Sequence, residues 1–131
     1  GKTTVVPQEL TLGRIQFGVG NADDVLMARE QDAPLVAIMA PLQVGPRCIL
    51  VREDSGIKSF EDLANITLQI DPARPYIAFM KDLGLLSNNV KTVPYFGTVT
   101  QLVSDVRTAQ QAYSFSEPHL AEEQGVQVRK L

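Results

Sequence analysis

Side chains able to grip a small polar molecule stand in this chain mostly where a strand-like run gives way to a helical one. Asn21 and Asp23 follow Ile15-Gln16-Phe17-Gly18-Val19. Asp71, Arg74 and Tyr76 follow Ile66-Thr67-Leu68-Gln69-Ile70, Thr98 follows Val90 to Phe96, and Glu117 follows Ala112 to Phe115. In an open α/β sheet, ligands sit in the crevice outside the carboxyl ends of the strands, so a binding site would use these positions. Arg74 can pair with an anionic group, and Tyr76 can stack on a ring or close over it; both also suit a solvated turn. Asn21 and Asp23 serve equally as helix caps, and the spare N–H groups of a helix start can meet a ligand as well. Thr98, after Gly97, is either a cap or a ligand hydroxyl. Glu117 beside Pro118 makes a good first helical turn, and as a ligand group it would take an amine or another hydrogen-bond donor. Gln43 lies in Ala40 to Pro46, a segment with two prolines and a glycine that reads as a linker. There it is either solvated or in contact at a lobe boundary.

Chemistry beyond binding lacks its parts. His119 is the single histidine and Cys48 the single cysteine, so the chain offers no internal disulfide, no cysteine metal site and no nucleophile–base pair. Within Arg47-Cys48-Ile49-Leu50-Val51 the thiol reads as a small buried hydrophobe. No metal and no cofactor are expected. The 131 residues are 44% hydrophobic, enough for a real core, and the net charge of -3 excludes the basic stripe that nucleic acid requires. The longest apolar stretch, Leu35 to Leu42, is too short to cross a bilayer. Gly1-Lys2-Thr3-Thr4 leads into no long apolar run, so no signal peptide is expected within this sequence. The missing initiator methionine points to a processed or excised chain.

The elements that would position these residues alternate strand and helix. A helix ends near Leu12-Gly13, a strand covers Ile15–Val19, and a helix covers Asp24–Glu30. The continuous apolar run Leu35-Val36-Ala37-Ile38-Met39 reads as a strand buried on both faces. Cys48–Val51 is another strand. Ser59 with Asp62 makes a capping-box-like helix start before the strand Ile66–Ile70. A helix over Tyr76–Leu83 stops at Gly84, and the unit repeats as a strand from Val90 to Phe96 and a helix from Val99 to Val106. A strand at Ala112–Phe115, a helix at Glu117–Gln124 and a final strand to Leu131 complete the pattern. Connections of this length imply a mostly parallel sheet. Strand edges without partners at both ends of the pattern would allow self-association.

Four stretches carry a family resemblance: Leu12 to Asp24, Ala33 to Ile38, Arg52 to Leu63, and Phe115 to Gly125. On them the chain resembles the solute-binding proteins of ABC importers with the type II periplasmic-binding fold. Within these it is most similar to the group of thiamine pyrimidine-precursor, alkanesulfonate and nitrate binders. Arg52-Glu53-Asp54-Ser55-Gly56-Ile57-Lys58-Ser59-Phe60-Glu61-Asp62-Leu63, similar to the entry to the second lobe, is the most specific piece. The resemblance runs from about Gln8 to Leu131. It implies an α/β fold of two lobes with the first incomplete: 1–44 in lobe I, a hinge strand at 45–51, and 52–131 as lobe II. It further implies closure of the lobes on a small polar solute, importer membrane subunits as partners, and a periplasmic or otherwise extracytoplasmic place, with or without a lipid anchor. Such proteins usually run to about twice this length or more, so a partial chain is expected. Two stretches depart from the pattern. Ala64-Asn65-Ile66 stands where a Lys-Gly-Lys type turn is common, and Asp71-Pro72-Ala73-Arg74-Pro75 has less glycine than the group's ligand loops. Two other functions share the fold: an enzyme like the pyrimidine-precursor synthases, and a ligand-sensing module of a regulator.

Overall fold

The apolar run Cys48-Ile49-Leu50-Val51 forms β1 (Arg47–Arg52), which lies between two other strands of the sheet in the computed structural model. The structure describes residues 5–72, 74–86 and 89–131. The first four residues of the expected first lobe, and Ala73 of the expected ligand loop, lie outside the described residues. The chain divides into two units, Gly1–Gln43 and Val44–Leu131.

In the first unit, α1 (Val6–Thr11) starts with Pro7 in its opening turn, where a missing N–H costs nothing, and α2 (Ala22–Glu30) starts after Asn21. The chain turns out of α1 through Gly13 at φ 68°, as the Leu12-Gly13 stop predicts. The expected strands at Ile15–Val19 and Leu35–Met39 do not form: both segments lie outside any β-ladder. Phe17, Val19, Val36 and Ile38 are at least 75% exposed. Apolar alternation supplies a face, but a strand exists only where a neighbour takes its N–H and C=O groups, and no such neighbour stands among the described residues of this unit. Leu35 alone of the second run is buried, and its carbonyl accepts from Arg29 Nη1 at 2.6 Å.

The second unit holds β1, β2 (Thr67–Ile70), α3 (Pro75–Asp82), β3 (Lys91–Pro94), α4 (Thr100–Ser104), β4 (Thr108–Tyr113), α5 (Glu117–Glu123) and β5 (Val128–Lys130). The strands lie in the order β3-β2-β4-β1-β5. β2 runs parallel to β3 and β4, whereas β1 runs against both β4 and β5. β5 therefore shares the direction of β2, β3 and β4, and among the described residues four of the five strands point one way. This is the expected α/β class with a mostly parallel sheet.

Alternation along each strand separates two apolar layers. Ile49, Val51, Leu68, Ile70 and Ala109 pack with Ile77 and Met80 of α3 and with Leu63 and Ile66. On the other face Leu50 and Ala112 pack with Leu102 of α4. The predicted capping box is present: Asp62 Oδ2 accepts from the Ser59 N–H at 2.9 Å, and it closes a single 3₁₀ turn at Phe60–Asp62 rather than a longer helix.

The boundaries around β4 differ from the sequence reading. The strand expected at Ala112–Phe115 begins at Thr108, and the preceding helix ends at Ser104 instead of Val106. Asp105 makes the turn, its Oδ1 accepting from the Arg107 N–H at 2.9 Å and its carbonyl from the Thr108 N–H at 3.0 Å. Thr108-Ala109-Gln110-Gln111 has weak β propensity, but it lies between β2 and β1 and both ladders hold it extended.

Candidate functional site

Parallel strands deliver their carboxyl ends to one edge of the sheet, and the residues just past those ends form a recess. Asp71 and Arg74 follow β2, Tyr95 follows β3, Tyr113 ends β4 and Glu117 follows it. Because β1 runs the opposite way, it brings its amino end, Arg47, to the same edge. Arg47, Asp71, Arg74, Tyr95, Gln111, Ala112, Tyr113 and Glu117 surround a space of about 70 Å³.

Hydrogen bonds fix most of its walls. Gln111 Oε1 accepts from the Asp71 N–H at 2.8 Å and from the Tyr76 hydroxyl at 2.7 Å, which joins the end of β2 to β4 and to α3. Arg74 Nε donates to Asp71 Oδ2 at 3.2 Å, so the pair turns the loop before α3. The Arg47 guanidinium lies 5.8 Å from the centre of the Tyr76 ring, within cation–π range. Glu117 is only 8% exposed, and both its oxygens accept: Oε1 from the Tyr95 hydroxyl and Oε2 from the Tyr113 N–H, each at 2.8 Å. Tyr113 in turn stacks on Phe115, with ring centres 5.7 Å apart.

Burial sets the protonation of the two phenols. Loss of water raises the Tyr76 hydroxyl to about 12, only partly opposed by the positive charge of Arg47. Tyr95 is raised further, by burial first and then by its bond to the Glu117 carboxylate. Both are therefore hydrogen-bond donors at neutral pH. Donors and cations stand at Arg47, Arg74 and Tyr76, and a buried carboxylate stands at Glu117. This arrangement can hold a polar molecule by complementary hydrogen bonds.

A larger, open recess of about 420 Å³ lies at the opposite edge, between Arg52-Glu53-Asp54 and Gly125-Val126-Gln127. Its charges are engaged with one another. Arg52 grips both oxygens of Asp54 at 2.9 and 2.7 Å, and Arg129 grips both oxygens of Glu53 at 3.0 and 2.5 Å. These forks clamp the chain where β1 ends and β5 runs, a structural duty.

Of the residues singled out in the sequence, the structure brings Asp71, Arg74, Tyr76 and Glu117 together. Thr98 is exposed in the turn before α4 and does not line the recess. Asn21, Asp23 and Gln43 belong to the first unit. Asn21 stands at the N-cap of α2, but its amide donates to Asp24 Oδ2 at 2.8 Å rather than capping the backbone. Gln43 is exposed. His119 is exposed on α5, its Nδ1 3.8 Å from Glu122.

Sequence reasoning missed Arg47, Tyr95, Gln111 and Tyr113. Tyr95 carried a usable signal, since it stands immediately after β3 as Asp71 stands after β2. Gln111 was hidden by the misplaced start of β4. Arg47 had no local signal: its place depends on β1 running against its neighbours.

The family described as NMT1/THI5-like matches the sequence over residues 1–131. The chain belongs to that family. The NMT1/THI5-like proteins are solute-binding proteins of ABC importers, the nitrate, sulfonate and thiamine-precursor group. No curated protein matches the chain. Membership fits the mixed sheet with its recess at the strand ends, and it agrees with binding rather than turnover as the family's general activity. Among the described residues no helix is long and apolar enough to cross a membrane.

Proposed function

We propose that this NMT1/THI5-like chain binds a small polar solute for delivery to the membrane subunits of an ABC importer, outside the cytoplasm and without chemical turnover. The supporting observation is the convergence of Arg47, Arg74, Tyr95, Gln111 and Glu117 on one recess at the carboxyl ends of the strands. In this reading 1–44 contribute to one lobe, 45–51 form the hinge strand, and 52–131 form the other lobe. Asp71, Arg74, Tyr76 and Glu117 hold the solute from the second lobe, and Asn21, Asp23, Gln43 and Thr98, which do not line this recess, are its further candidates. The two arginines favour an anionic or acceptor-rich group, and Glu117 favours a donor such as an amine. A solute with one of each satisfies both ends.

The test is thermal melting of the chain against aminopyrimidines, taurine and alkanesulfonates, nitrate and bicarbonate. A true ligand at a hundred times its dissociation constant adds about 2.7 kcal/mol of stability. Arg47→Leu and Arg74→Leu should each weaken binding of that ligand by about 10- to 100-fold, the loss of a charge-assisted hydrogen bond. A melt unmoved by every class, or arginine variants that bind as the parent does, would overturn the reading.

A further inference from the structure

Behind the strands that build the recess, three side-chain polar atoms are buried without a protein partner among the described residues: Nε2 of Gln69, and Nε2 and Oε1 of Gln110. The two residues are 2% and 0% exposed. They are direct register partners on the parallel strands β2 and β4, so their side chains leave the same face of the sheet side by side. Leu50 lies opposite Gln110 on β1 and Val93 opposite Gln69 on β3. The flanking side chains therefore offer no hydrogen bond.

A buried amide group left unpaired is costly, and three such atoms in one place call for an occupant. We propose that Gln69 and Gln110 hold an ordered internal water molecule between β2 and β4. The chemistry matches atom by atom. A water can accept one hydrogen bond from each Nε2 and donate one to Gln110 Oε1. That makes three bonds, the usual number for a buried water. An ion is disfavoured because neither amide carries a compensating charge, and an apolar molecule would leave all three atoms unpaired.

The water's consequence is register. β2 and β4 meet over three residue pairs, Thr67↔Thr108, Leu68↔Ala109 and Gln69↔Gln110. A slip of one residue would turn every side chain to the wrong face. It would place an apolar neighbour beside one amide and strand the water. One residue further along, Gln111 accepts from the Asp71 N–H, so the bridge holds the two strand ends that shape the recess. The inference rests on the sheet alone and stands whether or not the solute-binding proposal holds.

Nuclear magnetic resonance on the isotope-labelled full chain tests it. The side-chain NH₂ groups of Gln69 and Gln110, assigned by their loss in Gln69→Met and Gln110→Met, should show cross-peaks to water with the sign of a long-lived bound molecule. Absence of these cross-peaks from both amides in the parent protein overturns the proposal, and so does a direct amide–amide bond. Thermal melting adds a second reading. Each single variant strips the water of partners and should melt about 3–5 °C below the parent, whereas the double variant expels it and should recover most of that loss. Two single variants that melt at or above the parent, with additive shifts in the double, would also overturn it.

Discussion

Replacing Glu117 should destabilise the sheet edge as well as change the recess, and the structure sets the size of the effect. The carboxylate is 8% exposed and receives two bonds, from the Tyr95 hydroxyl and the Tyr113 N–H, each 2.8 Å long. A net hydrogen bond to a charged group contributes about 1.5–3 kcal/mol, and an orphaned buried donor costs a similar amount. The Tyr95 side chain reaches water on one side, so its hydroxyl recovers part of its loss. The Tyr113 N–H, at the end of a central strand, recovers less. Glu117→Ala is therefore expected to lower the stability of the chain by about 2–4 kcal/mol. Glu117→Gln keeps one acceptor, and the Tyr95 hydroxyl can rotate to accept from the new amide; about 1–2 kcal/mol is expected there. Tyr95→Phe removes only the outer bond, and in the double variant with Glu117→Ala the two losses should not add. Urea unfolding at neutral pH, followed by circular dichroism, measures the four variants against the parent. Glu117→Ala within about 0.5 kcal/mol of the parent would refute the argument, since surface substitutions have effects of that size. Full additivity with Tyr95→Phe would break the link between the two residues.

Tyr76 titrates near 12 instead of its ordinary 10.0 because it is buried. A raised value means the folded chain keeps this proton longer than the unfolded one. Its contribution is thus complete below pH 10 and is lost as pH rises through about 12. Tyrosinate absorbance should show a phenol titrating late, and Tyr76→Phe should remove it and flatten the alkaline fall in stability. Leu68 is fully buried in the α3 face of the sheet, and Leu68→Ala should cost about 2–5 kcal/mol in chemical unfolding. Gly18 lies close against α1: a Cβ there would come within 2.4 Å of Val6 Cγ1. Gly18→Ala should therefore loosen the first unit by about 1–3 kcal/mol, seen as faster amide exchange over Val6–Thr11 while β1 and β4 exchange as before.

Local sequence signals carried the elements that local physics can form. Pro7, Pro75 and Pro118 open helices, Gly13 and Gly84 turn the chain out of them, and Ser59 with Asp62 closes a turn by itself. The α/β class follows from these alternating runs. So do Asp71, Arg74, Tyr76 and Glu117 as the candidate side chains of one site, because each is placed by its own strand end and turn. What depends on a neighbour was not legible. The runs at Ile15–Val19 and Leu35–Met39 have strand composition and form no strand, because a ladder needs a second backbone. Thr108-Ala109-Gln110-Gln111 has poor strand composition and forms the central β4, because β2 and β1 both demand it. The one reversed strand, β1, then carries Arg47 to the recess from a distant part of the sequence, and the register of β2 on β4 puts Gln111 beneath Asp71. By itself the sequence determined the caps and glycine stops of most helices and which polar residues stand near strand ends, since those are interactions over a few residues. Only the tertiary structure decided which runs become strands, which way β1 points and which side chains meet, since those rest on pairing between segments far apart in the chain.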